Sequence, residues 1–292
     1  MKLLKTLFII NPIAGTQSKK DIPSLIERKL NREQFDYEIC FTERANHAIE
    51  IAQKAIKTNY DLVIAVGGDG TVNEVATGLV GSNVALGIIP MGSGNGLARH
   101  LQIPMNTSKA ISSLHKFQIV EIDTGRINGQ LFLCTMGVGL DAKVSHDFSK
   151  EKKRGFFTYS KVAMKNFMKL LESSWKIEVD GNSEMVKGLL LTIANANQYG
   201  NNVFIAPKAQ IQDGEFDVCV LKSFSFFNIP LILRDLFNKT LHRNRFYTLR
   251  KGKQILIHNE GEIAAHFDGE PIVLNGNVKI EIAPLSLKVF AN

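Results

Sequence analysis

Little in this chain of 292 residues fits a crosslinked, metal-built or membrane-spanning protein. It has three cysteines, Cys40, Cys134 and Cys219. They lack metal-site spacing and cannot all pair, which suits a reducing cytoplasm. No apolar run approaches the roughly 20 residues that a membrane helix needs. The seven histidines do not cluster, and His100 reads as a helix-end residue rather than a catalytic one. The phosphate loop G-x-x-x-x-G-K-[ST], the H-R-D set of protein kinases and the G-x-G-x-x-G dinucleotide fingerprint are all missing, which excludes the common nucleotide-binding classes. The formal charge is +7, but no helix-turn-helix, zinc-finger or RNP signature accompanies it, so no nucleic-acid partner is expected. Internal repeats and low-complexity linkers are also lacking.

What is present is a set of glycine turns, each following an apolar strand. Leu62-Val63-Ile64-Ala65-Val66 has no polar alternation and reads as a strand buried on both faces of a parallel sheet. It breaks into Gly67-Gly68-Asp69-Gly70-Thr71, after which Val72-Asn73-Glu74-Val75-Ala76 has helical spacing as far as Gly78. A second run, 85–89, leads into Pro90-Met91-Gly92-Ser93-Gly94-Asn95-Gly96 and a helical Leu97-Ala98-Arg99. A third, 7–10, leads into Asn11-Pro12-Ile13-Ala14-Gly15. A strand, a glycine turn and a helix start form an anion site, because bare backbone comes close and first-turn amides point at the ligand. The bland reading of one such turn is a tight βα connection. Three in the first hundred residues can converge on the crevice at the carboxyl ends of the strands. An acid within such a turn suits ordering of a metal, water or reacting hydroxyl beside a phosphate.

The organisation changes near residue 120. Before it, strands alternate with helical stretches at 46–59 and 107–115, the pattern of a parallel sheet with crossover helices. The start of the chain reads as a first strand rather than a signal peptide, since no cleavage-site pattern follows it. After residue 120, strand-like runs at 119–127, 131–138, 175–179, 187–194, 216–221, 254–258 and 278–282 are separated by turns such as Asn128-Gly129, Asp180-Gly181 and Asn275-Gly276. The expected fold is an α/β N-terminal domain over 1–120 and a β-rich sandwich over 121–292. The last segment is left free to return to the first domain, and the active site is expected between the two.

At this point the residues resemble the lipid kinases that include bacterial diacylglycerol kinases and eukaryotic sphingosine kinases. The match is carried by Asn11-Pro12-x-x-Gly15, by Gly67-Gly68-Asp69-Gly70-Thr71 with Asn73-Glu74, and by Gly92-Ser93-Gly94-Asn95 with Ala98-Arg99. It continues through Asp123, Asp213-Gly214-x-Phe216-Asp217 and Asp268-Gly269-Glu270, in family order along nearly the whole chain. The resemblance implies a Rossmann-like, NAD kinase-like first domain and transfer of the γ-phosphoryl group of ATP to a lipid hydroxyl, with Mg2+ required. The diacylglycerol kinases imply Asp268 as general base, and the sphingosine kinases give a similar role to Asp69. Asp268 is taken as the base and Asp69 as organiser of nucleotide and metal, with Asp69 as the alternative base. Glu270 with Asp123 belongs to an implied acidic network. ATP would be held by Asn11, Pro12, Gly15, Gly67, Gly68, Gly70, Thr71, Glu74, Gly92, Ser93, Gly94 and Asn95. A structural magnesium is implied at Asp213, with Gln210 and Glu215 as neighbours, although Asp213-Gly214 is also a hairpin signal.

One departure stands out: Gly96 occupies a position that many bacterial members fill with an acid. The local pattern is nearer to the sphingosine kinases. Diacylglycerol is the leading acceptor, with a sphingoid base, ceramide or NAD as alternatives and a silent nucleotide-binding regulator as the non-enzyme alternative. The expected protein is cytoplasmic and peripheral to a membrane, with a homodimer left open. Two stretches are candidates for that contact. One is basic and amphipathic, with Lys150-Glu151-Lys152-Lys153-Arg154 ahead of Lys161, Lys165 and Lys169. The other runs over 224–245, where Phe224, Phe226, Phe227, Leu231, Leu233, Leu236 and Phe237 give way to Lys239, His242, Arg243 and Arg245. For both, an ordinary surface helix is the plainer explanation.

Overall fold

A computed structural model describes residues 3–13, 21–150, 161–162 and 172–291. Gly15 and most of the basic stretch that includes Lys165 and Lys169 lie outside the described residues. The chain divides into two compact units, Met1–Ile122 with Leu285–Asn292, and Asp123–Pro284.

The first unit is built on parallel strands in the order β2-β1-β3-β4, with β1 Leu4–Ile10, β2 Phe35–Phe41, β3 Leu62–Gly67 and β4 Ala85–Pro90. β3 and β4 are buried along their whole length, as unalternating apolar runs require. Helices α1 Ile22–Lys29, α2 His47–Lys57, α3 Asp69–Leu79, α4 Gly96–His100 and α5 Thr107–Ser113 supply the crossovers. The last strand, β16 Val278–Ala291, re-enters this unit and pairs in parallel with β4 at Val289 and Leu86. Phe290 closes the core edge-on against Phe35 and Phe117. Each buried apolar side chain of this kind contributes roughly 1.5–3 kcal/mol over exposure.

The second unit is an antiparallel sandwich. One sheet runs β12-β11-β10-β7-β14-β15, with β7 Thr135–Gly139, β10 Leu190–Ala194, β11 Phe216–Leu221, β12 Tyr247–Gly252, β14 Glu262–Phe267 and β15 Glu270–Asn275. Facing it are β8 Ser173–Val179, β9 Asn182–Gly188, β13 Gln254–His258 and the first part of β16. Met136, Val138, Leu191, Ile193, Phe216 and Val218 meet Ile177, Ile255, Ile257, Val278 and Ile280 in one core. On the outer face of the six-stranded sheet lie α6 Leu140–Ser149 and α7 Ile229–Phe237. Ile232 of α7 packs with Cys219, Leu221, Leu241 and Tyr247.

Two runs expected as single strands are broken. The run 131–138 divides into β6 Gln130–Phe132 and β7, and 187–194 divides into β9 and β10. β5 Gln118–Ile127 forms a hairpin with β6 through Asn128-Gly129. In both breaks a backbone amide leaves the ladder for another partner. Leu189 N donates to Leu221 O, and the residues of the first break serve an acid described below.

Candidate active site

In the first unit the three glycine turns are joined to each other by specific bonds. Asn11 follows β1, its Oδ1 accepts from Ile13 N, and its Nδ2 donates to Thr71 Oγ1 at 3.1 Å. Pro12 beside it is exposed. Gly67 ends β3, Gly68 caps α3, and Asp69, Gly70 and Thr71 form its first turn. Asp69 therefore begins the helix rather than sitting midway through a loop. Its Oδ2 accepts from Asn95 N at 2.8 Å and its Oδ1 from Gly96 N at 2.7 Å, so one carboxylate clamps the second glycine turn onto the first.

The clamp works because two backbones touch. A Cβ on Gly92 would stand 2.7 Å from Gly68 Cα, and one on Gly68 would stand 3.2 Å from Gly92 Cα. Only glycine at both positions permits that approach. Asn95, in the left-handed region at φ 54°, accepts from Gly92 N through Oδ1 and donates to Gly92 O through Nδ2. Arg99 Nε secures Gly94 O at 2.9 Å.

These bonds divide the expected nucleotide residues into two groups. The Gly92 amide is occupied within the turn and those of Asn95 and Gly96 by Asp69, so this segment is mainly a buttress, with Ser93 exposed at its tip. The first-turn amides of α3 have no acceptor inside the helix and carry the positive end of its dipole, in a half-buried, reachable stretch at Gly68, Asp69 and Gly70. Glu74 lies a turn further on and faces elsewhere. Its two carboxylate oxygens accept from Asn46 N and Ala48 N at the start of α2.

In the second unit Asp268 and Gly269 form the tip of the β14–β15 hairpin, both with positive φ (48° and 84°), the conformation an Asp-Gly hairpin turn takes. The Asp268 carboxylate turns back onto the β6–β7 break. Oδ2 accepts from Leu133 N at 2.8 Å, and Oδ1 from Cys134 N at 2.7 Å and Thr135 N at 3.2 Å. That is the physical reason the expected strand is broken: its amides orient an acid. Glu270 is exposed at the start of β15.

A chain of bonds runs from Asp268 to the Asp213-Gly214 turn. Asn195 Nδ2 donates both to Leu133 O at 2.7 Å and to Asp123 O at 2.9 Å. Asp123 is fully buried, and its Oδ2 accepts from Gly214 N at 2.7 Å. Asn195 carries no motif signal, because its partners lie 62 and 72 residues away in sequence.

Another buried polar group was equally invisible in the sequence. Asp141 Oδ2 accepts from Thr192 Oγ1 at 2.7 Å and Tyr199 OH at 3.1 Å, and lies 3.2 Å from His266 Nε2. Gly137 provides the space, since a Cβ there would overlap the Asp141 carboxylate.

The magnesium implied at Asp213 does not fit its surroundings. Asp213 Oδ1 accepts from Glu215 N, and its Oδ2 lies 2.5 Å from Lys251 Nζ, which also lies 3.0 Å from Asp217 Oδ1. Asp217 and Lys251 face each other across β11 and β12. An ammonium thus already neutralises the carboxylates that a cation would serve. Gln210 is exposed, and among the described residues no group of three or more His, Cys, Asp or Glu could hold a metal. Burial pushes the Asp217 carboxyl up against the pull of Lys251. Burial also pulls the Lys251 ammonium down, but its bonds to Asp213 and Asp217 outweigh that and hold it above the ordinary lysine value.

Comparison with known proteins gives this architecture its relatives. The diacylglycerol kinase catalytic domain model matches residues 5–127, and the YegS C-terminal NAD kinase beta sandwich-like domain model matches residues 134–291. A diacylglycerol kinase of Staphylococcus aureus strain MRSA252 is 28% identical, covering 90% of this chain and 84% of its own. One from Bacillus subtilis strain 168 is 27% identical over 90% of this chain and 88% of its own. The crystal structure of a Bacillus anthracis diacylglycerol kinase is 25% identical, with a TM-score of 0.76, covering 100% of this chain and 98% of that one. An α/β unit with a glycine-lined clamp, followed by this antiparallel sandwich, defines a kinase-type transferase. The chain belongs to the diacylglycerol kinase-like lipid kinase family.

Proposed function

We propose that this lipid kinase transfers the γ-phosphoryl group of ATP to the hydroxyl of diacylglycerol. The observation that carries the reading is the Asp69 clamp, which holds two bare glycine backbones in contact and leaves the first turn of α3 to receive phosphate. Phosphoryl transfer needs positioning and charge neutralisation more than covalent chemistry, and a preorganised set of amides supplies both. Magnesium bound with ATP would neutralise phosphate charge beside the first turn of α3 and Asp69. Gly67, Gly68, Gly70 and Thr71 bind the phosphates, with Asn11 fixing Thr71 and Ser93 at the rim.

Asp268 receives the proton of the acceptor hydroxyl. Its three amide donors hold the carboxylate in one orientation. In a loose transition state the nucleophile is little activated before the phosphoryl group moves, so orientation of the base matters more than its strength. Glu270, next along the hairpin, supports the acceptor side. Asp69 positions the nucleotide and does not abstract the proton.

A second acceptor class, a sphingoid base or ceramide, is favoured by one feature: Gly96 stands where an acid would, and its amide is bound by Asp69. A transfer assay with radiolabelled ATP and magnesium, offering diacylglycerol, sphingoid base, ceramide and NAD separately in mixed micelles, discriminates these. Label in diacylglycerol supports the leading reading, and label only in another acceptor replaces it.

A further inference from the structure

Helix α7 is apolar on the side that should be polar. Its inward face buries Ile229 and Ile232. Its outward face carries Leu231, Leu233 and Phe237, exposed by 37%, 43% and 40%. Immediately before it, the short turn Phe226–Asn228 presents Phe226 and Phe227, the latter 90% exposed. A surface helix ordinarily turns charged and polar groups outward, and a contiguous apolar patch marks an interaction site.

The rim of this patch is cationic. Leu231 belongs both to the patch and to an adjoining hollow lined by Arg234, Asn238, Arg243 and Arg245. The one acid in that hollow, Asp235, is buried and saturated: Oδ1 accepts from Arg234 and Thr240, and Oδ2 from Asn244 at 2.7 Å. Arg243 and Arg245 make no ion pair among the described residues. The Lys239 ammonium and the Arg245 guanidinium lie over the rings of Phe204 and Phe246, at 4.5 and 4.7 Å, so cations and aromatic faces adjoin at this rim.

From this juxtaposition we infer that the α7 face docks on a bilayer rich in anionic phospholipid. Phe226, Phe227 and Leu233 enter the boundary between headgroups and acyl chains, while Arg243 and Arg245 take lipid phosphates. A second copy of the chain fits poorly. Two-fold pairing of this face would bring arginine rims together, and the only acid available is already satisfied. Anionic headgroups supply the complement that the rim lacks, and aromatic side chains beside cations are the composition of an interfacial element. The inference rests on the proposed lipid acceptor only in that a bilayer-resident substrate requires docking.

The test is vesicle sedimentation without nucleotide, comparing phosphatidylcholine vesicles with and without phosphatidylglycerol. The full chain is used as wild type, Phe226→Ser/Phe227→Ser and Arg243→Gln/Arg245→Gln. Wild type should bind the anionic vesicles, less so at high salt. The Phe pair should weaken binding about tenfold or more, through lost apolar insertion. The Arg pair should lose about tenfold or more and most of the preference for phosphatidylglycerol. Turnover of a short-chain, monomeric diacylglycerol should be unchanged in the Phe pair, so loss of docking and loss of the kinase reading are separable. Unchanged vesicle binding in both folded variants would overturn the inference. A wild-type dimer in sedimentation velocity that the Phe pair dissolves would also overturn it, and so would equal loss of turnover on the monomeric acceptor.

Discussion

Asp268 is held by three amides at both carboxylate oxygens, so an Asn of the same shape keeps an acceptor for one side and turns a donor toward the other, at a cost of about 1–3 kcal/mol. Asp268→Asn should still fold, with a lowered thermal midpoint, and lose about 10²–10⁴-fold in kcat, the usual range for a positioned acid or base, with KM for ATP little changed. Turnover close to wild type would remove the base assignment. Gly68 is a different kind of residue, because its role is to have no side chain. Gly68→Val places atoms where Gly92 Cα stands 3.2 Å from a first Cβ, which should separate the two turns and raise the Kd for ATP. Equilibrium binding of ATP by the folded variant checks this. Lys251→Met would leave Asp217 buried without its counter-ion opposite Asp213, and should lower stability by about 1–3 kcal/mol after allowing for partial exposure of the lysine. Denaturant unfolding measures it. Because the folded lysine titrates above its unfolded value, that stabilisation is complete below about pH 10.5 and fades as pH rises through the raised value.

At the scale of elements, what could be read depended on whether a signal was local. β1, β3 and β4, with the turns that follow them, were legible because unalternating β-branched runs stop at glycine within a few residues. The hairpin at Asp268 was not read, since Asp268-Gly269 stood only within the family motif and β14 and β15 were not among the expected strands. The break between β6 and β7 was not legible, since Leu131 to Val138 has a single polar residue, Thr135, and the cause of the break lies 133 to 135 residues away in Asp268. β9 and β12 carry charged residues at exposed positions and resemble loops in composition, whereas β2 alternates Phe35, Tyr37, Ile39 and Phe41 with Asp36, Glu38 and Cys40, a strand pattern that went unread. Asn195 and the Asp141–His266 group had no local signal at all, since each is defined by partners on other strands. Asn195→Ala should remove the side-chain donor that links Asp123 O to Leu133 O and cost about 1–3 kcal/mol. It should also lower kcat more than KM for ATP, because Leu133 N helps to orient Asp268. At α7, bonds from Asn244, Arg234 and Thr240 outweigh burial and hold the Asp235 carboxyl below its ordinary value. Its contribution to stability is therefore present above about pH 4 and is lost as pH falls through the depressed value. Asp235→Asn should flatten that part of an acid unfolding curve.

At the scale of the molecule, two units of unlike construction carry the groups to which the proposed phosphoryl transfer is ascribed. The parallel unit supplies the glycine clamp at the carboxyl ends of its strands, and the sandwich supplies an acid oriented by its own backbone. Among the described residues no helix is long and apolar enough to cross a membrane. The net charge of +7 suits the anionic surface proposed for docking. The most direct test of the account is transfer of label from γ-labelled ATP, with magnesium, to diacylglycerol in mixed micelles, run beside the Asp268→Asn variant. The account predicts labelled phosphatidic acid from the wild type and at least a hundredfold less from the variant. Intact ATP binding with no label in diacylglycerol, sphingoid base or ceramide would contradict it.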